Sequence, residues 1–92
     1  MGRGMRLQPK KLSRKLRDIR IRMGHTQQEM AKRLKHSVPR ASIHPGHISQ
    51  FETGKREPSL LVLLAYARLA SVSTDVLIDD GIDLTALKTK VE

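Results

Sequence analysis

The sequence predicts a compact all-α bundle of five short helices. Three observations carry this reading. Apolar residues recur at spacings of three and four, the repeat of a helix face. Glycine, serine, threonine and proline punctuate those runs where helices start and stop. No stretch alternates apolar with polar residues as a half-buried strand does, and no internal repeat is present.

Residues 1–9, MGRGMRLQP, hold two glycines, one proline and no acid, and read as a flexible basic arm. In KKLSRKLRDIRIRMG, Leu12, Leu16, Ile19 and Met23 fall four, three and four residues apart. They make one face of a first helix, with bases on the other, and Gly24 supplies the stop. TQQEMAKRLK opens with Thr26 and has Glu29 three residues later, the capping-box spacing that satisfies orphan N–H groups reciprocally. Met30, Ala31 and Leu34 form the inner face of this second helix. The connection from Met23 to Thr26 is so short that the first two helices must be neighbours.

In the third helix, Ile48, Phe51 and Glu52 share one side of a helical wheel. Gly46, Gln50 and Thr53 lie opposite, with His47 and Ser49 at the borders. Gly54 ends it, and KREP forms a basic turn. Ser59 to Ala70 is a fourth helix, led in by Pro58 and apolar almost all round. SVSTDVLIDD gives a short fifth, opened by Ser73 or Thr74, with Asp75 favourable in its first turn. The expected organisation is a domain over residues 10–80 and a C-terminal tail over 81–92.

Composition narrows the function classes. Ninety-two residues suffice for one small domain. The absence of cysteine excludes disulfides and thiolate metal sites, and fits a reducing cytoplasm. No signal peptide is visible, and no apolar run approaches the roughly 20 residues of a membrane span, so no membrane partner is expected. Charge is segregated. Fifteen of the 18 lysines and arginines lie in residues 1–56 beside three acids, a net of +12, whereas residues 57–92 carry three bases and six acids, a net of −3. Such a chain presents a basic half to a polyanion and keeps the other half for a different task.

LRDIRIRMGHTQQEMAKRL, ISQFETGKREPSLLVLLAYARLA and VSTDVLI together resemble the Cro/CI-type (XRE family) helix-turn-helix domain of phage repressors and bacterial regulators. The resemblance covers about residues 12–78 and rests on several signals in register. These are Gly24 before Thr26 and Gln27, Ala31 and Leu34, Ile48, the run Glu52 to Lys55, and Pro58 with Ser59. It implies a lambda-repressor-like helix-turn-helix fold that binds double-stranded DNA and regulates transcription, with helix 44–53 in the major groove.

The residues support that implication physically. Ile48 and Phe51 pack inward, leaving Gln50 outward, where its amide can pair with adenine N6 and N7. Gly46, His47 and Ser49 surround Gln50 as the other candidates for base contact. The resemblance places Gln27 on a phosphate at a helix N-terminus, whose free N–H groups favour an anion. Arg40, His44, Thr53, Lys55 and Arg56 are further candidates for the DNA backbone. Glu52 lies on the inward face, where an unpaired carboxylate is costly, and the resemblance implies that Arg20, which flanks the apolar stripe one turn after Leu16, pairs with it.

The connection between the second and third helices is longer than in the family's commonest form. Aligned backwards from Ile48, Pro45 falls at N1, His44 at the N-cap, and Ile43 with Ile48 at the spacing of a hydrophobic staple. The surplus is the seven-residue segment KHSVPRA, Lys35 to Ala41, whose Lys35, His36 and Arg40 are candidates for added phosphate contacts. His36, His44 and His47 suggest better phosphate binding when protonated. No metal or other cofactor is expected.

Leu61, Val62, Ala65 and Val76 stand where the family is commonly polar, which suggests a homodimer interface. The competing expectation is that Ile82, Leu84 and Leu87 of the tail cover this patch. Nothing points to an enzyme: no acid orients the serines and histidines near 42–49, and there is no glycine-rich phosphate loop. A repressor is the expected function. The alternative is the antitoxin of a toxin–antitoxin pair, which grips a small toxin through its second half and also represses its own promoter. With one Phe and one Tyr, the chain offers few platforms for stacking RNA bases.

Overall fold

The computed structural model describes residues 9–84; residues 1–8 of the expected basic arm and Leu87 of the tail lie outside that range. Five α-helices are present among these residues: α1 (Leu12–Arg22), α2 (Gln27–Ser37), α3 (Pro45–Thr53), α4 (Leu60–Leu69) and α5 (Thr74–Ile78). No strand occurs among the described residues. Helix α3 packs against α1 and α2, while α4 and α5 close the other side. None of these helices is long and apolar enough to cross a membrane.

The apolar stripes meet in one core, with Leu16, Met30, Leu34, Ile48, Tyr66 and Leu77 completely enclosed. Phe51 and Tyr66 lock α3 to α4 edge to face, their ring centroids 6.5 Å apart. Burial pushes the Tyr66 phenol up, so it stays neutral. The caps follow local chemistry. Thr26 Oγ1 accepts the Glu29 N–H at 3.1 Å, and Glu29 Oε1 accepts the Thr26 N–H at 2.8 Å. The second bond holds the Glu29 carboxyl below its usual range. Ser59 caps α4 by accepting the Val62 N–H.

After α1, Gly24 takes φ +74°, and the His25 and Gly24 N–H groups donate back to the Arg20 and Ile21 carbonyls. The same turn recurs after α3, where Gly54 takes φ +80° and the Lys55 and Gly54 N–H groups donate to the Gln50 and Phe51 carbonyls. Both are Schellman stops, which require a left-handed residue. After α4 the left-handed residue is Ser71, at φ 59°.

The long connection differs from a simple insert. Lys35, His36 and Ser37 continue α2 by almost a turn, and only Val38 to His44 form the link. Pro39 explains the stop, because the residue before a proline is driven from the helical region; Val38 has φ −130° and ψ 75°. Val38 and Ala41 pack on the core and Ile43 is buried, so the segment is anchored at three points.

Lys15 corrects the expectation that the α1 bases face away from the core. It is 4% exposed, and its Nζ donates to the carbonyls of Val76 at 2.7 Å and Asp79 at 3.0 Å. The ammonium thus satisfies orphan carbonyls at the end of α5, where the helix dipole favours a cation. Lys15→Met keeps the apolar stem and strands those carbonyls; thermal unfolding should register a loss of about 1–2 kcal/mol.

The return contact starts α1. Asp80 Oδ2 and Oδ1 accept the backbone N–H groups of Lys10 and Lys11 at 2.9 and 3.0 Å. These bonds hold the Asp80 carboxyl below its ordinary range. A carboxyl depressed on folding stabilises the native state above its unfolded pKa, and that contribution fades as pH falls through the folded value. Acidification from about pH 7 to about pH 3 should therefore cost wild type more stability than Asp80→Asn, which already lacks the charge. Parallel loss of Tm in both proteins across that range would refute the assignment.

Candidate nucleic-acid interface

The angle between α2 and α3 is fixed at Glu52. Its carboxylate, 3% exposed, receives Arg20 Nε at 2.7 Å on Oε2 and Arg20 Nη2 at 3.0 Å on Oε1. Arg20 and Glu52, expected to pair, thus form a two-pronged bridge between α1 and α3. Arg20 Nη1 also donates to the His25 carbonyl at 3.0 Å, which ties in the turn before α2. The bond to Glu52 raises the arginine pKa still further. Gln27 completes the junction, donating from Nε2 to Glu52 Oε1 at 3.2 Å. Its side chain was expected at a phosphate; here it is half-buried and turned toward α3, while its backbone N–H remains at the start of α2.

With Ile48 and Phe51 buried, α3 turns its other side outward. Gly46, Gln50 and Thr53 are exposed, and His47 and Ser49 are half-buried beside them. Pro45 occupies the first helical position, and Ile43 and Ile48 bury on either side of the entry. The N-cap residue is His44, and the functional part of the cap comes from His47, whose Nδ1 accepts the His44 N–H at 3.2 Å. The two imidazoles lie 5.1 Å apart, centroid to centroid. Ser42 Oγ lies 3.4 Å from His44 Nε2.

Several side chains already have partners. The Thr53 hydroxyl donates within α3, to the Ser49 carbonyl at 3.0 Å and less closely to that of Gln50. Donation to a phosphate would require breaking those bonds. Gln50 Oε1 accepts from Arg56 Nε at 3.0 Å, a pairing that sequence spacing did not disclose. Lys55, Arg56 and Arg40 are exposed, as are Lys32, Arg33, Lys35 and His36 along the outer side of α2 and its extension.

The suggested dimer residues must be corrected. Val62, Ala65 and Val76 are 4, 4 and 8% exposed and belong to the chain's own core. Packing uses them because α4 lies between α2 and α5 and needs more than one apolar face. Leu61, at 62%, is exposed, and Leu60 and Ile78 join it as uncovered apolar side chains. Ile82 packs on the core and Leu84 is buried, so residues beyond 80 cover part of the helices.

A short helix pinned through Glu52 to two neighbours, with an outward polar face and basic residues at its end, defines a helix-turn-helix DNA-binding domain. The chain belongs to the Cro/CI-type helix-turn-helix family, whose model matches residues 16–77. Its fold is similar to that of the P22 c2 repressor protein, solved in complex with the synthetic operator 9T in the presence of Tl+. The TM-score is 0.63 at 23% identity, over 75% of this chain and 94% of that one, a likeness of fold. No curated protein matches in sequence.

Proposed function

We propose that this protein is a sequence-specific regulator of transcription, a repressor, that binds double-stranded DNA and reads the major groove with residues 44–53. It acts by binding and carries out no catalysis. The observation that carries this reading is the outward face of α3, above all Gly46. A Cβ at Gly46 would meet nothing within 4 Å, and its φ is not left-handed. No side chain of the described residues occupies the space that a larger residue would take there. An outward glycine leaves the helix backbone open to close approach by a groove, and Gln50 stands one turn further along, where it can reach a base edge.

Around that face, Lys55 and Arg56 supply phosphate contacts after the helix, and the N-terminus of α2 supplies backbone N–H groups near Gln27. His44, His47 and Ser49 line the border. The operator bound by the P22 c2 repressor supports a duplex as the partner here. Two copies bind a pseudo-palindrome with their recognition helices about 34 Å apart, joined through the exposed Leu60, Leu61 and Ile78 rather than the buried Val62, Ala65 and Val76. The antitoxin alternative uses the same apolar residues for a small toxin; co-purification of such a partner with the native protein distinguishes it.

Selection of bound duplexes from a random pool at fixed salt tests the reading. Enrichment of two half-sites related by a dyad is expected. No enrichment, or tighter binding to RNA than to duplex DNA, would overturn it. The α2 extension has its own test. Lys35→Gln with Arg40→Gln removes two charges while sparing Val38, Ala41 and Ile43, which pack on or within the core. If both charges meet phosphates, the slope of log K against log salt should become shallower by about 1.8. An unchanged slope would remove this segment from the interface.

A further inference from the structure

Arg56 is held against Gln50 twice. The Schellman turn at Gly54 folds the chain back so that the Arg56 N–H donates to the Gln50 carbonyl at 3.2 Å. The Arg56 side chain then donates from Nε to Gln50 Oε1 at 3.0 Å. One contact is set by the backbone turn, and the other follows from where that turn puts the side chain. A free exposed glutamine can instead spin its amide, exchanging donor and acceptor ends at little cost.

A guanidinium has only donors, so the atom facing Arg56 must be the amide oxygen. The amide nitrogen is thereby turned the other way, and the donor and acceptor of Gln50 hold fixed places before any duplex arrives. An amide oxygen has two lone pairs, and one bond to Arg56 leaves the second for a base. A bidentate amide–adenine contact needs both ends of the amide in one orientation, so ordering it in advance removes a cost otherwise met on binding.

We infer that Arg56 is a positioning residue for base recognition: it sets the orientation in which Gln50 meets its base pair, besides adding charge near the backbone. The inference rests on the proposed reading of α3 as the recognition helix. It differs from a plain phosphate role in what it affects. A phosphate contact raises affinity for every sequence alike, whereas a positioned amide changes the preference among sequences.

The test compares wild type, Arg56→Met, Gln50→Ala and the double variant on the selected duplex and on versions altered at each base pair. The position read by Gln50 is the one whose preference collapses in Gln50→Ala. Arg56→Met should lower affinity for all duplexes and flatten the salt slope by about one charge. It should also reduce preference at the Gln50 position by about tenfold. In the Gln50→Ala background it should change no preference further. A uniform loss of affinity with preference intact would overturn the inference. So would equal loss of preference in both backgrounds, because Arg56 would then read the base itself.

A measurement without DNA separates failure of this inference from failure of the functional reading. In the free wild-type protein, NMR should show an Arg56 Nε–H that exchanges with water more slowly than those of the exposed Arg14 and Arg17 on α1. The Gln50 side-chain amide resonances should shift in Arg56→Met, with Tm unchanged. A fast-exchanging Arg56 and an unmoved Gln50 amide would sink the clamp even if the protein binds its operator. An ordered clamp in a protein with no duplex preference would instead remove the recognition role for both residues.

Discussion

Glu52→Ala should unfold the domain at a Tm about 12–24 °C below that of wild type. The substitution removes the acceptor for three donors, Arg20 Nε and Nη2 and Gln27 Nε2. It leaves a guanidinium with one remaining protein acceptor described for it, the His25 carbonyl. Breaking a buried ion pair on one side costs about 3–5 kcal/mol. The Arg20 side chain is 15% exposed and keeps some access to water, which places the expected loss near the lower end, at about 3 kcal/mol. At this chain length each 1 kcal/mol moves Tm by about 4–8 °C.

Two controls separate the causes. Replacing Arg20 and Glu52 together by methionine removes both charges and should recover much of the loss, since the stranded arginine is its main source. Arg20→Lys keeps the charge but not the two-pronged geometry, and should fall between. A Tm for Glu52→Ala within about 2 °C of wild type would show that the junction is not what holds α1, α2 and α3 together.

Gln50→Ala should bind the selected duplex about 10- to 100-fold more weakly, with nearly all of the loss at one base pair. The reason is chemical: a neutral amide adds nothing to counterion release, so the salt slope should not move. Gln50 is exposed, and its truncation leaves the core untouched, so Tm should stay at the wild-type value. Binding isotherms on the selected duplex and its single-pair variants, at two salt concentrations, measure both quantities. A uniform loss across all duplexes would remove Gln50 from base recognition.

These two residues illustrate what could be read from the sequence. The spacing of Leu12, Leu16 and Ile19, and of Ile48 and Phe51, foretold which faces are buried, because helix geometry fixes which neighbours share a side. From that, Gln50 had to face outward and Glu52 inward. The cap at Thr26 and the stops at Gly24 and Gly54 were equally legible, since each bond spans only a few residues.

Pattern failed where a residue's fate depends on a distant helix. Lys15 sits one position before Leu16 and has the composition of a solvated base, yet it is buried beneath the end of α5. Val62 and Ala65 of α4 and Val76 of α5 stand where the family is commonly polar, and only the packing of α4 against α2 and α5 shows that the chain's own core takes them. Arg56 read as one more basic residue after a helix, and only the turn at Gly54 brings it onto Gln50.

The sequence by itself therefore determined the five helices, the apolar inner faces of α1, α2 and α3, most of the boundaries and the outward placing of Gln50. These depend on interactions within one or two helical turns. The tertiary structure alone decided that Asp80 starts α1 from 70 residues away and that Lys15 closes α5 from 61. Such contacts are made by polar groups that helix ends leave unsatisfied, and which side chain reaches them is settled only when the helices have packed.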